Sequence, residues 1–88
     1  MKKEAVVTFE GKVDEFAVRI DDKKLTFTGG KASVSLDPGT HFLTYFVIAP
    51  PGTKFTIAIT APPESEWSRT ITVPSDGVVI GSKKFVVK

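Results

Sequence analysis

Apolar residues recur in this chain with period two from one end to the other, and no window of eleven or more residues carries them at i, i+3, i+4 and i+7. A side chain on the same face every second residue is the pattern of a strand with one side toward a core, so the chain reads as all β. Thr, Val, Ile and Phe fill the runs, and these residues suit a pleated, half-buried surface.

Residues 36–60, LDPGTHFLTYFVIAPPGTKFTIAIT, are expected to organise the rest. Asp37-Pro38-Gly39 and Pro50-Pro51-Gly52 are turns, because Pro presets one backbone angle and Gly accepts the positive φ that follows. Between them His41, Leu43, Tyr45 and Val47 share one face and Phe42, Thr44, Phe46 and Ile48 the other, so residues 41–49 alone are apolar on both sides. Together with the alternating run 55–60 this predicts a central hairpin. Its first strand is either the most buried in the fold or the place where another molecule docks. The segment LDPGTHFLTYFV resembles the PEGA-type domains of bacterial surface proteins over these twelve residues of turn-plus-strand chemistry, and no family is assigned on it.

Around this stretch the pattern predicts strands at about 4–10 and 13–21, turned by Gly11-Lys12, and at about 68–73 and 78–88, turned by Pro74-Ser75-Asp76-Gly77. The last is one strand kinked at Gly81-Ser82, or two short ones. Gly29-Gly30 supplies the positive φ angles of a primed two-residue turn. It predicts a hairpin with Phe27 opposite Ala32, Leu25 opposite Val34 and Thr26 opposite Ser33. Residues 61–66 carry two prolines and polar side chains, and form a loop.

About seven short strands with turn signals every 8 to 12 residues predict an immunoglobulin-like antiparallel β-sandwich, with a small five- or six-stranded barrel as the alternative. The 88 residues suffice for one domain, and a chain of this size buries only about 60% of the surface its unfolded form exposes. With no cysteine, neither a disulfide nor a thiolate metal site can brace that small core.

A net charge of +2 is too slight to drive nucleic-acid binding, although a pI near 9.0 permits attraction to acidic surfaces. The lysines at 2–3, 12, 23–24, 31, 83–84 and 88 fall at predicted turns and strand edges, where they discourage edge-to-edge pairing. Met1-Lys2-Lys3 has the charge of a secretory leader, but Glu4 follows where a long apolar segment is needed. The chain as given reads as cytoplasmic, or as a mature secreted fragment carrying an added Met. No apolar run approaches the roughly 20 residues that span a bilayer, so membrane insertion is not expected.

Chemistry-bearing residues are few. The sole histidine, His41, could act as a base assisted by Asp37, but no second catalytic partner accompanies it, and a strand-start His more often caps a core edge or bonds a backbone carbonyl. The acidic pairs Asp14-Glu15, Asp21-Asp22 and Glu64 with Glu66 lack the spacing of a calcium loop, and read as solvated loop charge. Trp67, beside Pro62-Pro63 and with Arg69 near, could stack on a sugar or anchor a protein; the plainer expectation is a lid over the end of the core.

The composite expectation is a non-enzymatic interaction module, with no catalytic residues, cofactor or metal. A protein partner or a homodimer leads. Carbohydrate binding through Trp67, with Arg69, Tyr45 and His41 as further candidate binding residues, is second, and a small enzyme built on His41 comes last.

Overall fold

The computed structural model describes residues 2–88; Met1, which opens the basic start, lies outside them. The strands are β1 (Lys3–Glu10), β2 (Glu15–Ile20), β3 (Lys23–Lys24), β4 (Lys31–Leu36), β5 (Gly39–Ile48), β6 (Lys54–Ala61), β7 (Trp67–Thr72) and β8 (Val78–Val87). A 3₁₀ turn, Pro63–Ser65, follows the cis Ala61-Pro62 peptide between β6 and β7. The strands form two antiparallel four-stranded sheets, β4-β1-β6-β7 and β3-β2-β5-β8. The chain is thus the all-β sandwich that its alternation predicts, with eight strands, against about seven expected, and no ladder joining the two sheets into a barrel among the described residues.

The core lies between the sheets. Val7, Phe55, Ile57 and Ile59 reach it from one side, and Val18, Ile20, Leu43 and Val47 from the other, all at 2% exposure or less. Each such side chain contributes about 1.5–3 kcal/mol when taken out of water. At one end the interior is closed by phenylalanines: Phe9 stacks on Phe16 with ring centroids 4.1 Å apart and on Phe55 at 5.4 Å, and Phe27 meets Phe16 edge-on. Gly11, in the connection from β1 to β2, is at φ +144°, and a Cβ there would strike the Phe55 Cβ.

The pairing departs from the hairpins expected between sequence neighbours. Only β2–β3 and β6–β7 are hairpins; every other connection passes from one sheet to the other. β5 and β6 therefore do not pair, and the central hairpin over residues 36–60 is replaced by a crossover: β5 lies between β2 and β8, and β6 between β1 and β7. The Gly29-Gly30 turn does form, with φ +60° and +79° and the Thr28–Lys31 pair closed by backbone bonds of 2.9 and 3.2 Å. Its ladder stops at that pair. β4 takes β1 as its partner, Val7 opposite Ala32 and Ala5 opposite Val34, while Leu25 is buried in the core and Phe27 packs against it as the chain crosses. Alternation dictates which face of a strand is inward; it leaves open which strand lies alongside.

Each edge strand is short or carries a cation. β3 is only Lys23-Lys24, β4 begins at Lys31, and Lys83 on β8 and Arg69 on β7 pair with the inward residues Leu43 and Ile57. Charge on the inward side of an edge strand opposes addition of a further strand, as does an edge only two residues long.

β8 runs through Gly81 as one strand. Tyr45 on β5, opposite Gly81, covers it, and a methyl group at that position would run into the tyrosine ring and hydroxyl. Gly81→Ala is expected to lower unfolding stability by about 1–3 kcal/mol through overpacking. In Tyr45→Ala, where the space is open, the added Gly81→Ala should cost far less, a non-additivity that urea unfolding of the single and double variants will read.

Candidate functional site

Two surfaces bring polar chemistry or unmatched apolar area together. One is the end of the sandwich opposite the phenylalanines. There the turn between β2 and β3 places Asp21 at φ +54°, a left-handed conformation that Asp tolerates better than most residues. Its backbone N–H donates to the Phe42 carbonyl at 2.8 Å, and its Oδ1 accepts the Phe42 N–H at 3.0 Å, which fixes the carboxylate beside β5. His41 Nδ1 donates to Asp21 Oδ2 at 2.7 Å, and Nε2 donates to the Asp37 carbonyl at 2.7 Å. The imidazole also lies 5.7 Å from the Phe85 ring, and its side chain is only 13% exposed.

The expected partner of His41 was the Asp37 carboxylate; the carboxylate present is that of Asp21, and Asp37 supplies only its backbone. Both acceptors lack a proton, so both ring nitrogens must carry one, and the geometry calls for the imidazolium. The Asp21 hydrogen bond raises the His41 pKa above its ordinary 6.5, helped by the Asp37 carbonyl and opposed by burial. The same bond lowers Asp21 below 3.8. With both nitrogens engaged, the ring has no lone pair to accept a proton from a substrate. It acts as a clamp joining the β2–β3 turn, the β4–β5 corner and β5. Beside it is a cavity of about 250 Å³ lined by Lys2, Asp22, Lys23 and Ser35. Among the described residues no three His, Asp or Glu side chains converge to hold a metal ion.

Glu64, read as solvated loop charge, is bound. Its Oε2 accepts from the Lys3 ammonium at 2.9 Å and from the Lys88 N–H at 3.2 Å, and the lysine foremost holds its carboxyl at about 2. Ser65 is buried and donates to the Val86 carbonyl at 2.6 Å. The loop 61–66 is in this way tied to both ends of the described chain.

Trp67 begins β7, half-buried against the core edge, and pairs with Ile59. Next to it β6 carries a bulge that leaves Thr60 unpaired against β1. An open groove of about 570 Å³ follows, bordered by Ala58, Thr60, Glu66, Trp67 and Ser68. Arg69 shares the Trp67 face of β7 and is exposed. Tyr45 does not join them. At 2% exposure it is buried on the inward side of β5, because its parity is that of Leu43 and Val47, so it offers no surface to a ligand. His41, two residues before Leu43 near the start of β5, is held by its clamp.

The second surface was only half visible beforehand. The outward side of β5 presents Phe42 at 51% and Phe46 at 36% exposure, and β8 adds Ile80 at 71% and Val86 at 45%. Phe46 is directly opposite Ile80 on β8 and opposite Ala17 on β2, so one apolar row crosses three strands. Arg19, Thr44 and Ser82 form the next row, and Phe42 with Lys84 the one after. Ile80 and Val86 carry no signal of exposure in the sequence; only the β5–β8 register puts Ile80 beside Phe46, and Val86 opposite Thr40 one row beyond Phe42.

The clamp predicts a stability plateau with two limbs. Because the folded His41 pKa is raised, its contribution is complete below 6.5 and is lost as pH climbs through the folded value; because Asp21 is lowered, its contribution is complete above 3.8 and is lost as pH falls through its folded value. With the Asp21 carboxylate 43% exposed, solvent screening keeps either limb below about 1 kcal/mol. Asp21→Asn, which keeps the turn conformation, should flatten both limbs in chemical unfolding followed from pH 3 to 9, and the His41 ring protons should titrate near the ordinary value in that variant.

Comparison with family models, with curated proteins and with solved structures finds no match to this chain.

Proposed function

We propose that this domain is a non-enzymatic protein-interaction module that works through the outward face of β2, β5 and β8. The observation that carries the reading is the exposure of Phe42, Phe46, Ile80 and Val86 on the outward side of two paired strands, with Phe46 and Ile80 directly opposite each other. Together they put on the order of 400 Å² of apolar surface in water on one face, in rows interrupted by Arg19, Thr44 and Ser82, and exposed apolar area of that order is often functional. In a domain this small, four large side chains kept out of the core are a substantial sacrifice of stabilising burial. The engagement of both His41 nitrogens supports a structural part for the residue on which an enzyme would most depend.

The test substitutes the face without touching the core. Phe46→Glu with Ile80→Lys should leave the domain folded, with the thermal unfolding midpoint lowered because Phe46 is only 36% exposed, and should abolish every specific association of the domain, with itself or with a protein retained from its native extract. Trp67→Ala should leave those associations intact. Associations that survive the double substitution would overturn this reading.

A second reading is favoured by one observation, the groove beside the half-buried Trp67, where Glu66, Thr60 and Ser68 offer hydrogen-bonding groups next to an aromatic face. Such a site suits a sugar ring. Its expected signature is a shift and change in intensity of the Trp67 fluorescence on titration with oligosaccharides, absent in Glu66→Ala; unchanged fluorescence across a glycan panel removes it.

A further inference from the structure

We propose that the proton on His41 Nε2 is a latch: it holds the corner that carries the chain from one sheet to the other, and its loss frees that corner while the rest of the clamp stays closed. The latch acts on the connection between β4 and β5 and is independent of the interaction face proposed above.

Little else holds this corner. Leu36 is the last residue of β4 paired to β1, opposite Lys3, and Gly39 is the first of β5 paired to β8, opposite Val87. Between them Pro38 has no N–H to give. The bond from His41 Nε2 to the Asp37 carbonyl is the sole hydrogen bond of residues 37–38 among the described residues. Gly39 is at φ +137° with open space where a Cβ would stand, so the backbone can turn there with no side chain in its way.

The two acceptors on the ring are unequal. At Nδ1 the acceptor is the Asp21 carboxylate, whose other oxygen is fixed by the Phe42 N–H; at Nε2 it is a neutral carbonyl. A hydrogen bond to an ionised acceptor is roughly twice as strong as one between neutral groups. When the imidazolium gives up a proton, Nδ1 therefore keeps its own and Nε2 loses one. The bare Nε2 then turns its lone pair on the Asp37 oxygen at 2.7 Å, and the contact changes from attractive to repulsive.

No other donor takes its place. The charged groups near the ring are Asp21 and Asp22 of the β2–β3 turn, Lys23 of β3, Asp37 itself and Lys2 ahead of β1. β4 offers Ser35 and Leu36, and β8 offers the Phe85 ring, with Lys83 one inward position further on, opposite Leu43. Neither these lysines nor Ser35 bonds the Asp37 carbonyl. The Asp21 hydrogen bond, opposed by burial and assisted by the Asp37 carbonyl, raises His41 above its ordinary 6.5, so the latch is closed at that pH and opens above it. The corner shares the wall of the 250 Å³ cavity with Ile20 and Leu36, both at 5% exposure or less, and its release loosens the cover over these two core side chains.

Nuclear magnetic resonance of the full chain from pH 5 to 10 tests this. Below the His41 midpoint both imidazole nitrogens should carry protons. Above it their nitrogen-15 shifts should report the Nδ1–H tautomer, the reverse of the Nε2–H form that a free imidazole favours. The backbone order parameters of Asp37 and Gly39 should fall from about 0.85 to below about 0.6 at the same midpoint, while those of Asp21 and Phe42 stay near about 0.85. In His41→Gln the values at 37 and 39 should no longer change with pH. In Asp37→Asn, which keeps the carbonyl and removes a nearby negative charge, the corner should still open, at a lower midpoint. An Nε2–H tautomer above the midpoint overturns the inference, since the β2–β3 turn and not the corner would then be released. Order parameters at 37 and 39 that ignore the titration overturn it as well, and so does a fall that persists in His41→Gln; the first two readings come from the wild type and stand whether or not that variant folds.

Discussion

A two-layer sandwich can bury only one side of each strand, and β5 carries large apolar residues on both. Its inward side, Leu43, Tyr45 and Val47, is sealed between the sheets at 2% exposure or less, so Phe42 and Phe46 on the other side must face water. β8 lies alongside over the whole length of β5, from Gly39 opposite Val87 to Ile48 opposite Val78, and repeats the same division. Phe85 and Val87 go inward while Ile80 and Val86 go outward. The exposed patch is thus the geometric remainder of a strand pair apolar on two sides in a fold with one core.

The two ends of the molecule are closed by different chemistry. At one, stacked and edge-on phenylalanines extend the core outward and hold the β1–β2 connection against Phe55. At the other, the His41–Asp21 clamp and the Glu64 hub join turns and chain ends through charged hydrogen bonds. Charge-assisted bonds at a partly wet rim add little net stability, but they determine where the β2–β3 turn and the loop 61–66 sit.

Most strand positions were legible from alternation alone, although the arm expected at 24–28 shrinks to Lys23-Lys24, and so was the turn at Gly29-Gly30, whose φ angles follow from the absence of a Cβ. Partners were not. Gly11-Lys12 and Pro50-Pro51-Gly52 look like hairpin turns in sequence, yet both redirect the chain to the opposite sheet, since a turn residue sets a local bend and a sandwich can use that bend either within a sheet or between sheets. The same limit hid the Asp21–His41 pair, twenty residues apart, although Asp21 is where a short β2–β3 turn needs a residue tolerant of positive φ. Tyr45 is the converse case: its parity with Leu43 and Val47 already placed it inward, and its aromatic character alone suggested a surface role.

By itself, then, the sequence determined that this chain is all β, which side of each strand is apolar, and that residues 41–49 are apolar on both, because side-chain direction in a strand is a local property with period two. The tertiary structure decided which strands pair, and with that which of the two apolar sides of β5 is covered, that Ile80 and Val86 extend the uncovered one, and that His41 is held at both nitrogens. Those outcomes depend on contacts between residues distant in the chain, where the energy of burial is shared over the whole fold and no local pattern records it.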